Sequence, residues 1–216
     1  MIGPLRATVA AGALLVLAAC SGEQVWAPDA EVEAVAFRPD GPPTVTLMTM
    51  INGRSGGGGH SALMIDGNQR VIFDPAGSWH NPQIPERNDV LYGMHPAAMD
   101  LYVDFYTRDP YHLVLQEIEV TPEIANYLIQ QVENHGAVPR AQCSLSVSRI
   151  LSGTPGFEVM NANWFPERTM RQFGDIPGVQ TQTIYDDAGD SSQDLLREQI
   201  RAERRAQAVE NAFGND

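Results

Sequence analysis

The chain contains little that could cross-link it or give it positive charge. It has two cysteines in 216 residues, and all of its basic residues are arginine. The formal net charge of −13 creates an acidic field that repels phosphate backbones, so we predict that the chain does not bind nucleic acid. The sequence also has no P-loop, no dinucleotide-type glycine fingerprint and no CxxC pair. We therefore expect no cofactor.

The apolar run near the N-terminus is too short for a permanent transmembrane helix. It covers residues 7–17, follows Arg6 and leads into the letters LAAC at residues 17–20. A charged start, a short apolar stretch and small residues form the pattern of an export signal. With Cys20 directly after the small residues, the segment resembles a bacterial lipoprotein lipobox. The resemblance implies cleavage before Cys20 and acylation of its thiol.

This resemblance sets the expected organisation of the chain. The lipidated Cys20 would anchor the protein to a membrane facing the periplasm, and by lipoprotein sorting rules Ser21 in place of Asp implies the outer membrane. The length that remains suits one domain. We predict a signal peptide over 1–19, the lipidated cysteine and a tether rich in Pro, Gly, Asp and Glu over 20–43, one domain over 44–185, and a polar, partly helical tail over 186–216.

Cys143 would then be the one free thiol of an exported protein, a situation that needs a reason. We predict that it lies at the start of a helix over 141–151, after a break that contains Pro139. Unpaired N–H groups at a helix start favour the thiolate, and those of Cys143 or Ser144 can bind an oxyanion. Gln142 is a further candidate donor to the oxyanion, with a solvent-facing cap as its alternative role. We interpret Cys143 as a catalytic nucleophile. The alternative is a small buried hydrophobic residue without a chemical role.

A thiol nucleophile needs a base, and the base needs an orienting partner. His60 is the candidate base because it opens a strand directly after the glycine-rich loop 54–59, and Asp74 ends the next strand. A two-residue turn at 66–67 would put these two side chains on opposite faces of the sheet, whereas a three-residue loop over 66–68 places them directly across from each other. We predict the longer loop. The alternatives are a histidine that caps a strand end and an aspartate that forms a turn.

The remaining segments predict an α+β fold, in which a small antiparallel sheet packs against the helix that carries Cys143. Alternating and apolar runs indicate strands, and cap residues with helical spacing indicate helices. The predicted strands are 44–52, 60–65, 70–74, 111–120 and 179–185; the predicted helices are 99–106, 122–136 and 166–173; and residues 75–96 are predicted to be irregular.

The order of His60, Asp74 and Cys143 inverts that of papain-like proteases and resembles the circularly permuted branch of the NlpC-type papain-like fold, which includes the lecithin retinol acyltransferase relatives. The matching segments are GGGGHSALMID, RVIFDPAGS and AQCSLSVSRIL. The resemblance implies a thiol hydrolase or acyltransferase with His60 as base, Asp74 as orienting residue and Cys143 as nucleophile. Family members often carry His or Glu as the third residue and an aromatic residue before the cysteine, where this chain has Gln142. The segments FDPAGSW and PERNDVLYG are similar to those of proteobacterial lipoproteins of unknown function.

The resulting hypothesis is an envelope thiol hydrolase that cleaves amide bonds in peptidoglycan stem peptides through an acyl-enzyme. Lipid esters are the alternative substrate class within the same chemistry. Two alternatives of other classes are a metal site formed by His60, Asp74 and His80, and a non-enzymatic scaffold lipoprotein in which Cys143 is buried and inert. On the thiol-enzyme hypothesis, no metal is expected.

Overall fold

In the computed structural model, the described part of the chain is residues 22–185. Within it, seven strands form one antiparallel sheet, and helices pack against both faces. This confirms the α+β class and the packing of the Cys143 helix on the sheet. The predicted signal peptide, Cys20 and the tail over 186–216 lie outside the described residues.

The strands and helices largely follow the predicted segments. None of the helices within 22–185 has both the length and the apolar character needed to cross a bilayer. In chain order the elements are α1 (Asp29–Val35), β1 (Thr44–Asn52), β2 (Gly58–Asp66), β3 (Arg70–Phe73), β4 (Glu86–Arg87), β5 (Val90–Tyr92), α2 (Pro96–Thr107), β6 (Tyr111–Glu119), α3 (Pro122–Glu133), α4 (Cys143–Ser152), α5 (Pro166–Gly174) and β7 (Gln180–Ile184).

The sheet has the order β4-β5-β3-β2-β1-β6-β7, so the long strand β1 lies between β2 and β6. Because successive side chains of a strand point to opposite faces, β1 and β2 contribute to two separate cores. On one face the strands pack with α1, α3, α4 and α5; on the other they pack with α2. The first core includes Val45, Leu47, Leu63, Ile65, Val71 and Phe73, and the second includes Met48, Met50, Ala62, Met64 and Ile72.

The β2–β3 hairpin has a three-residue loop, but not the one predicted. Asp66 pairs with Arg70, so the loop is 67–69 and the register is shifted by two residues. The carboxylate of Asp66 also binds the Arg70 guanidinium, with 2.6 Å between Oδ1 and Nε, which extends the ladder to the loop. A shift of two keeps every side chain on its predicted face. His60 and Asp74 therefore share a face, although they are not directly opposite each other.

The stretch predicted to be irregular, 75–96, contains a second hairpin. Strands β4 and β5 are joined by Asn88 and Asp89, whose φ angles are +46° and +68°. Positive φ at both central residues is the signature of a type I′ turn, in which Asn and Asp are tolerated. The strands were missed because two and three residues are too few to display an alternating pattern.

The part of the predicted tether that the structure describes is packed onto the sheet. Ala27 donates its N–H to the Glu86 carbonyl at 2.9 Å, and Trp26 forms an isolated β-bridge with Arg87. Val32 of α1 is buried in the same core as α3 and α4. These residues therefore pack against the domain predicted over 44–185, because their few apolar side chains contact the β4 edge and the core.

We predict that Val32→Ala destabilises the full chain by about 1–2 kcal/mol, since it removes two buried methyl groups. Glu33→Ala on the exposed side of the same helix should change stability by less than about 0.5 kcal/mol. Urea unfolding of both variants measures the difference. Equal, near-zero effects would mean that α1 does not contribute to the core.

Candidate active site

His60, near the start of β2, is in direct contact with Asp74. Nε2 of His60 lies 2.6 Å from Oδ1 of Asp74, and the two side chains are only 13% and 4% exposed. Asp74 follows the last residue of β3, and its own N–H donates to the Asp89 carbonyl at 2.8 Å. The predicted His–Asp contact is therefore present, formed along the diagonal of the hairpin.

Cys143 is the first residue of α4, and its thiol lies against the start of β2. Strand β3 pairs only with 63–66, so the first residues of β2 have no strand partner on that side. There the backbone N–H of Ser61 and the side chain of His60 lie near the Cys143 sulfur, and both lower the pKa of its thiol. Because Nε2 of His60 faces Asp74, Nδ1 is the nitrogen left for the thiol. The three side chains thus form a series from carboxylate to imidazole to sulfur.

The electrostatics of this series favour the charged pair of thiolate and imidazolium. Burial alone would raise the pKa of Cys143, but hydrogen bonding and attraction to His60, with the N–H groups of Ser61 and Ser144, bring that pKa below its ordinary value. Burial would likewise lower the pKa of His60, but Asp74 and the Cys143 thiolate raise it to about 10. Both shifts favour the thiolate, which is the nucleophilic form of a cysteine.

The two predicted oxyanion donors differ in what they can offer. The first hydrogen bond of α4 runs from the Ser146 N–H to the Gln142 carbonyl at 2.9 Å, which leaves the N–H groups of Cys143 and Ser144 without a carbonyl partner in the helix. The Gln142 N–H donates to the Pro139 carbonyl, so only its side-chain amide could serve. The role of Gln142 and Ser144 in binding an oxyanion stays a prediction.

Tyr106 of α2 is a further member of the site. Its hydroxyl donates to Oδ2 of Asp74 at 2.9 Å and accepts from the Ser78 N–H at 3.3 Å. Its ring stacks on the His60 imidazole, with 5.7 Å between centroids and 17° between planes. Tyr106 therefore fixes both the carboxylate and the ring. An aromatic residue in an apolar helix gives no sequence signal for such a role.

Close contacts make glycine necessary at two places around the site. A side chain at Gly77 would overlap the carboxylate oxygens of Asp74. A Cβ at Gly58 would lie 2.6 Å from that of Pro166, and the Gly58 N–H donates to Oε1 of Glu167 at 2.5 Å. The glycine-rich loop thus packs against the start of α5, as its composition predicts for a close approach.

A buried polar network fixes the first turns of α4 on α5. Oγ of Ser144 lies 2.7 Å from Oγ1 of Thr169, which also accepts from the Asn163 side-chain amide at 3.1 Å. One turn farther on, Ser148 accepts the Asn163 N–H at 2.9 Å. The hydroxyl of Ser144 is therefore committed to packing, and only its backbone N–H faces the thiol.

Asp89 links the two loops that carry Asp74 and Cys143. Its Oδ1 accepts from the Ala76 N–H at 3.0 Å, and its Oδ2 accepts from the Val138 N–H at 2.7 Å. Both loops contain an alanine in the left-handed region, Ala76 at φ +56° and Ala141 at φ +64°. Such conformations are strained for a residue with a Cβ and persist only where surrounding contacts hold them.

The alternative of a metal site is not supported. Among residues 22–185, no cluster of three or more His, Cys, Asp or Glu side chains has the geometry to hold a metal ion. His60 and Asp74 contact each other, but His80 does not complete a three-ligand group with them. His80 is instead an exposed residue of the loop after β3.

We predict that iodoacetamide alkylates Cys143 with a pH midpoint below about 8.5, the value of an ordinary thiol. In His60→Ala the cation is lost and burial remains, so the midpoint should rise to 8.5 or above, and the rate at pH 7 should fall about tenfold or more. Peptide mapping of the folded full chain separates Cys143 from Cys20. His112→Ala serves as the matched control, and an identical midpoint in all three proteins would exclude an activated pair.

We also predict that Gly77→Ala slows alkylation of Cys143 at pH 7 about tenfold, because the added methyl group displaces Asp74 and with it His60. Gly153→Ala at the end of α4 is the control, since its Cβ would make only ordinary contacts at 3.7 Å. Unchanged alkylation in the folded Gly77→Ala protein would show that the Asp74 position does not matter for the thiol.

Comparisons with known proteins identify no relative. The chain matches no family model, no curated protein and no solved structure. The resemblance to permuted papain-like enzymes therefore stays a prediction. The assignment of function depends on the residues and geometry of the site.

Proposed function

We propose that this chain is a cysteine hydrolase in which Cys143 attacks an amide or ester carbonyl, His60 transfers protons and Asp74 orients His60. The observation that supports it is the series Asp74–His60–Cys143, in which the thiol pKa is lowered by the histidine it contacts. A structural cysteine needs neither a base nor an orienting carboxylate. Burying ionisable groups costs free energy, and groups with shifted pKa values cluster at functional sites.

The proposed reaction has two halves, and the protons and bonds balance in each. In the first, a bond forms between the Cys143 sulfur and the carbonyl carbon, the bond to the amine or alcohol breaks, and the imidazolium of His60 gives its proton to the leaving group. In the second, water gives a proton to His60 and attacks the thioester, and the thiolate is released. The N–H groups of Cys143 and Ser144 at the start of α4 are the candidate donors to the developing oxyanion.

As substrate class we propose peptide amides of peptidoglycan stem peptides, cleaved in the cell envelope by a chain held to its membrane through lipidated Cys20. This rests on the N-terminal signal pattern, because an exported, anchored hydrolase meets peptidoglycan first. Lipid esters are the second candidate, and the apolar and aromatic residues beside His60 favour them: Met50, Phe105 and Tyr111 line the adjacent pocket.

We predict that the full chain releases new amino groups from purified peptidoglycan and that Cys143→Ala lowers this rate by about 10³-fold or more. Ser152→Ala at the exposed end of α4 is the control on the same helix and should retain most of the activity. Mass spectrometry of the protein during turnover should detect an acyl adduct on Cys143.

The possible results separate the hypotheses. Turnover of lipid esters without turnover of peptidoglycan would keep the thiol mechanism and replace the substrate class. Failure to hydrolyse either class, together with slow alkylation of Cys143 at pH 7, would contradict the enzyme and favour a scaffold lipoprotein.

A further inference from the structure

A pocket of about 240 Å³ adjoins the imidazole of His60 on the side of α2. Its floor and walls are formed by Met50, Phe105, Tyr106 and Tyr111, and the exposed residues Gly77 and Ser78 form part of its rim. Cys143 is not among the described residues that line this pocket. The pocket therefore reaches the proposed base and not the nucleophile.

The position beside His60 indicates which part of a substrate the pocket holds. In acyl transfer the carbonyl carbon binds the sulfur, whereas the leaving group must accept a proton from the imidazolium and so lies next to His60. The acyl part stays on Cys143 after the first half of the reaction. A pocket that borders the imidazole and not the sulfur is suited to the group that departs.

The pocket lining determines the chemistry of that group. Among the lining residues, His60 is the one whose side chain carries charge near neutral pH. The Tyr106 hydroxyl is already engaged, donating to Asp74 and accepting from Ser78, and burial with the nearby Asp74 raises its pKa well above the ordinary value. What remains for a ligand is the apolar surface of Met50, Phe105 and the Tyr111 ring, with the Ser78 side chain and the Tyr111 hydroxyl as uncharged polar groups. Such a lining suits an uncharged, mostly apolar group and offers no charged partner to a second charge.

We infer that this pocket is the leaving-group subsite and that it takes an uncharged, apolar amine or alcohol of the size of one amino-acid side chain or aromatic ring. The inference rests on the proposed function of Cys143 and His60. It goes beyond that function by assigning the selectivity to the departing half of the substrate. A leaving group with a second amino or carboxylate group is a poor match, so the subsite disfavours stem-peptide amides whose departing residue carries such a free group and favours substrates with an uncharged leaving group.

The test uses three esters that share an N-acetylglycyl acyl group and differ in the alcohol: methyl, benzyl and 4-(aminomethyl)benzyl. We expect kcat/KM with the full chain to be at least about tenfold higher for benzyl than for methyl, and the charged benzyl ester to lose this gain. All three form the same acyl-enzyme, so its rate of hydrolysis, measured after rapid acylation, should be equal for the three.

Two variants localise the effect to the pocket. Ser78→Trp places a bulky side chain at the exposed rim and should reduce the benzyl-to-methyl ratio of kcat/KM to near one. Ser152→Trp makes the same change at the exposed end of α4, and should keep the ratio of the unmodified chain. Alkylation of Cys143 in each variant reports whether the folded site is retained.

The outcomes distinguish the pocket from the proposed function. If Cys143-dependent hydrolysis is seen with equal kcat/KM for the three esters, or with the charged ester preferred, the inference is overturned and the thiol mechanism stands. If a ratio above ten is retained in Ser78→Trp, the selectivity lies elsewhere and the inference is also overturned. If no ester is hydrolysed and alkylation is slow, the proposed function fails, and the subsite assignment with it.

Discussion

The arrangement of this site depends on the carboxylate of Asp89, which accepts one hydrogen bond from each of the two loops that meet at the thiol. One loop carries Asp74 and the other leads into Cys143, and the two are far apart in the sequence. Because Asp89 also accepts the Asp74 N–H through its carbonyl, three bonds converge on one turn residue. Burial raises the pKa of Asp89, and its backbone partners oppose that rise. Asp89 thus positions the loops of the proposed catalytic residues without being one of them.

The sheet contributes to the site because β3 is shorter than β2 and leaves the start of β2 unpaired on that side. Strand β3 pairs only with residues 63–66 of β2, so the N–H of Ser61 has no partner in β3 and instead helps to lower the pKa of the Cys143 thiol. The start of α4 supplies further N–H groups from the opposite direction. Small residues then allow the parts to approach: Gly77 makes room for the Asp74 carboxylate, and Gly58 lets the loop before His60 reach α5.

The sequence predicts most of the strands and helices and the contact between His60 and Asp74. It does not predict contacts that depend on a single side chain or on a short turn. Strand β1 has its predicted bounds, and Thr121 caps α3 as expected, because apolar alternation and capping are local properties. The β2–β3 register was wrong by two residues, since the pairing of Asp66 with Arg70 extends the ladder beyond the turn signal.

The roles of Asp89 and Tyr106 could not be predicted in the same way. They depend on which distant segments the fold brings together, and neither residue stands in a pattern of its own. The same holds for α1, whose single buried valine is too little to mark a docked segment within a stretch rich in Pro and Glu.

Because Asp74 is hydrogen-bonded to Tyr106, its role in positioning His60 can be distinguished from the effect of its negative charge. The phenol hydroxyl of Tyr106 can both donate and accept a hydrogen bond, so it could turn and accept one from the side-chain NH2 of an asparagine at residue 74. Asparagine there could retain the contacts to Tyr106 and His60 while removing the negative charge that favours the imidazolium. An asparagine at residue 74 would therefore preserve the hydrogen bonds of the site, because the Tyr106 hydroxyl can reverse. The same substitution would lower the pKa of His60, because the negative charge is lost.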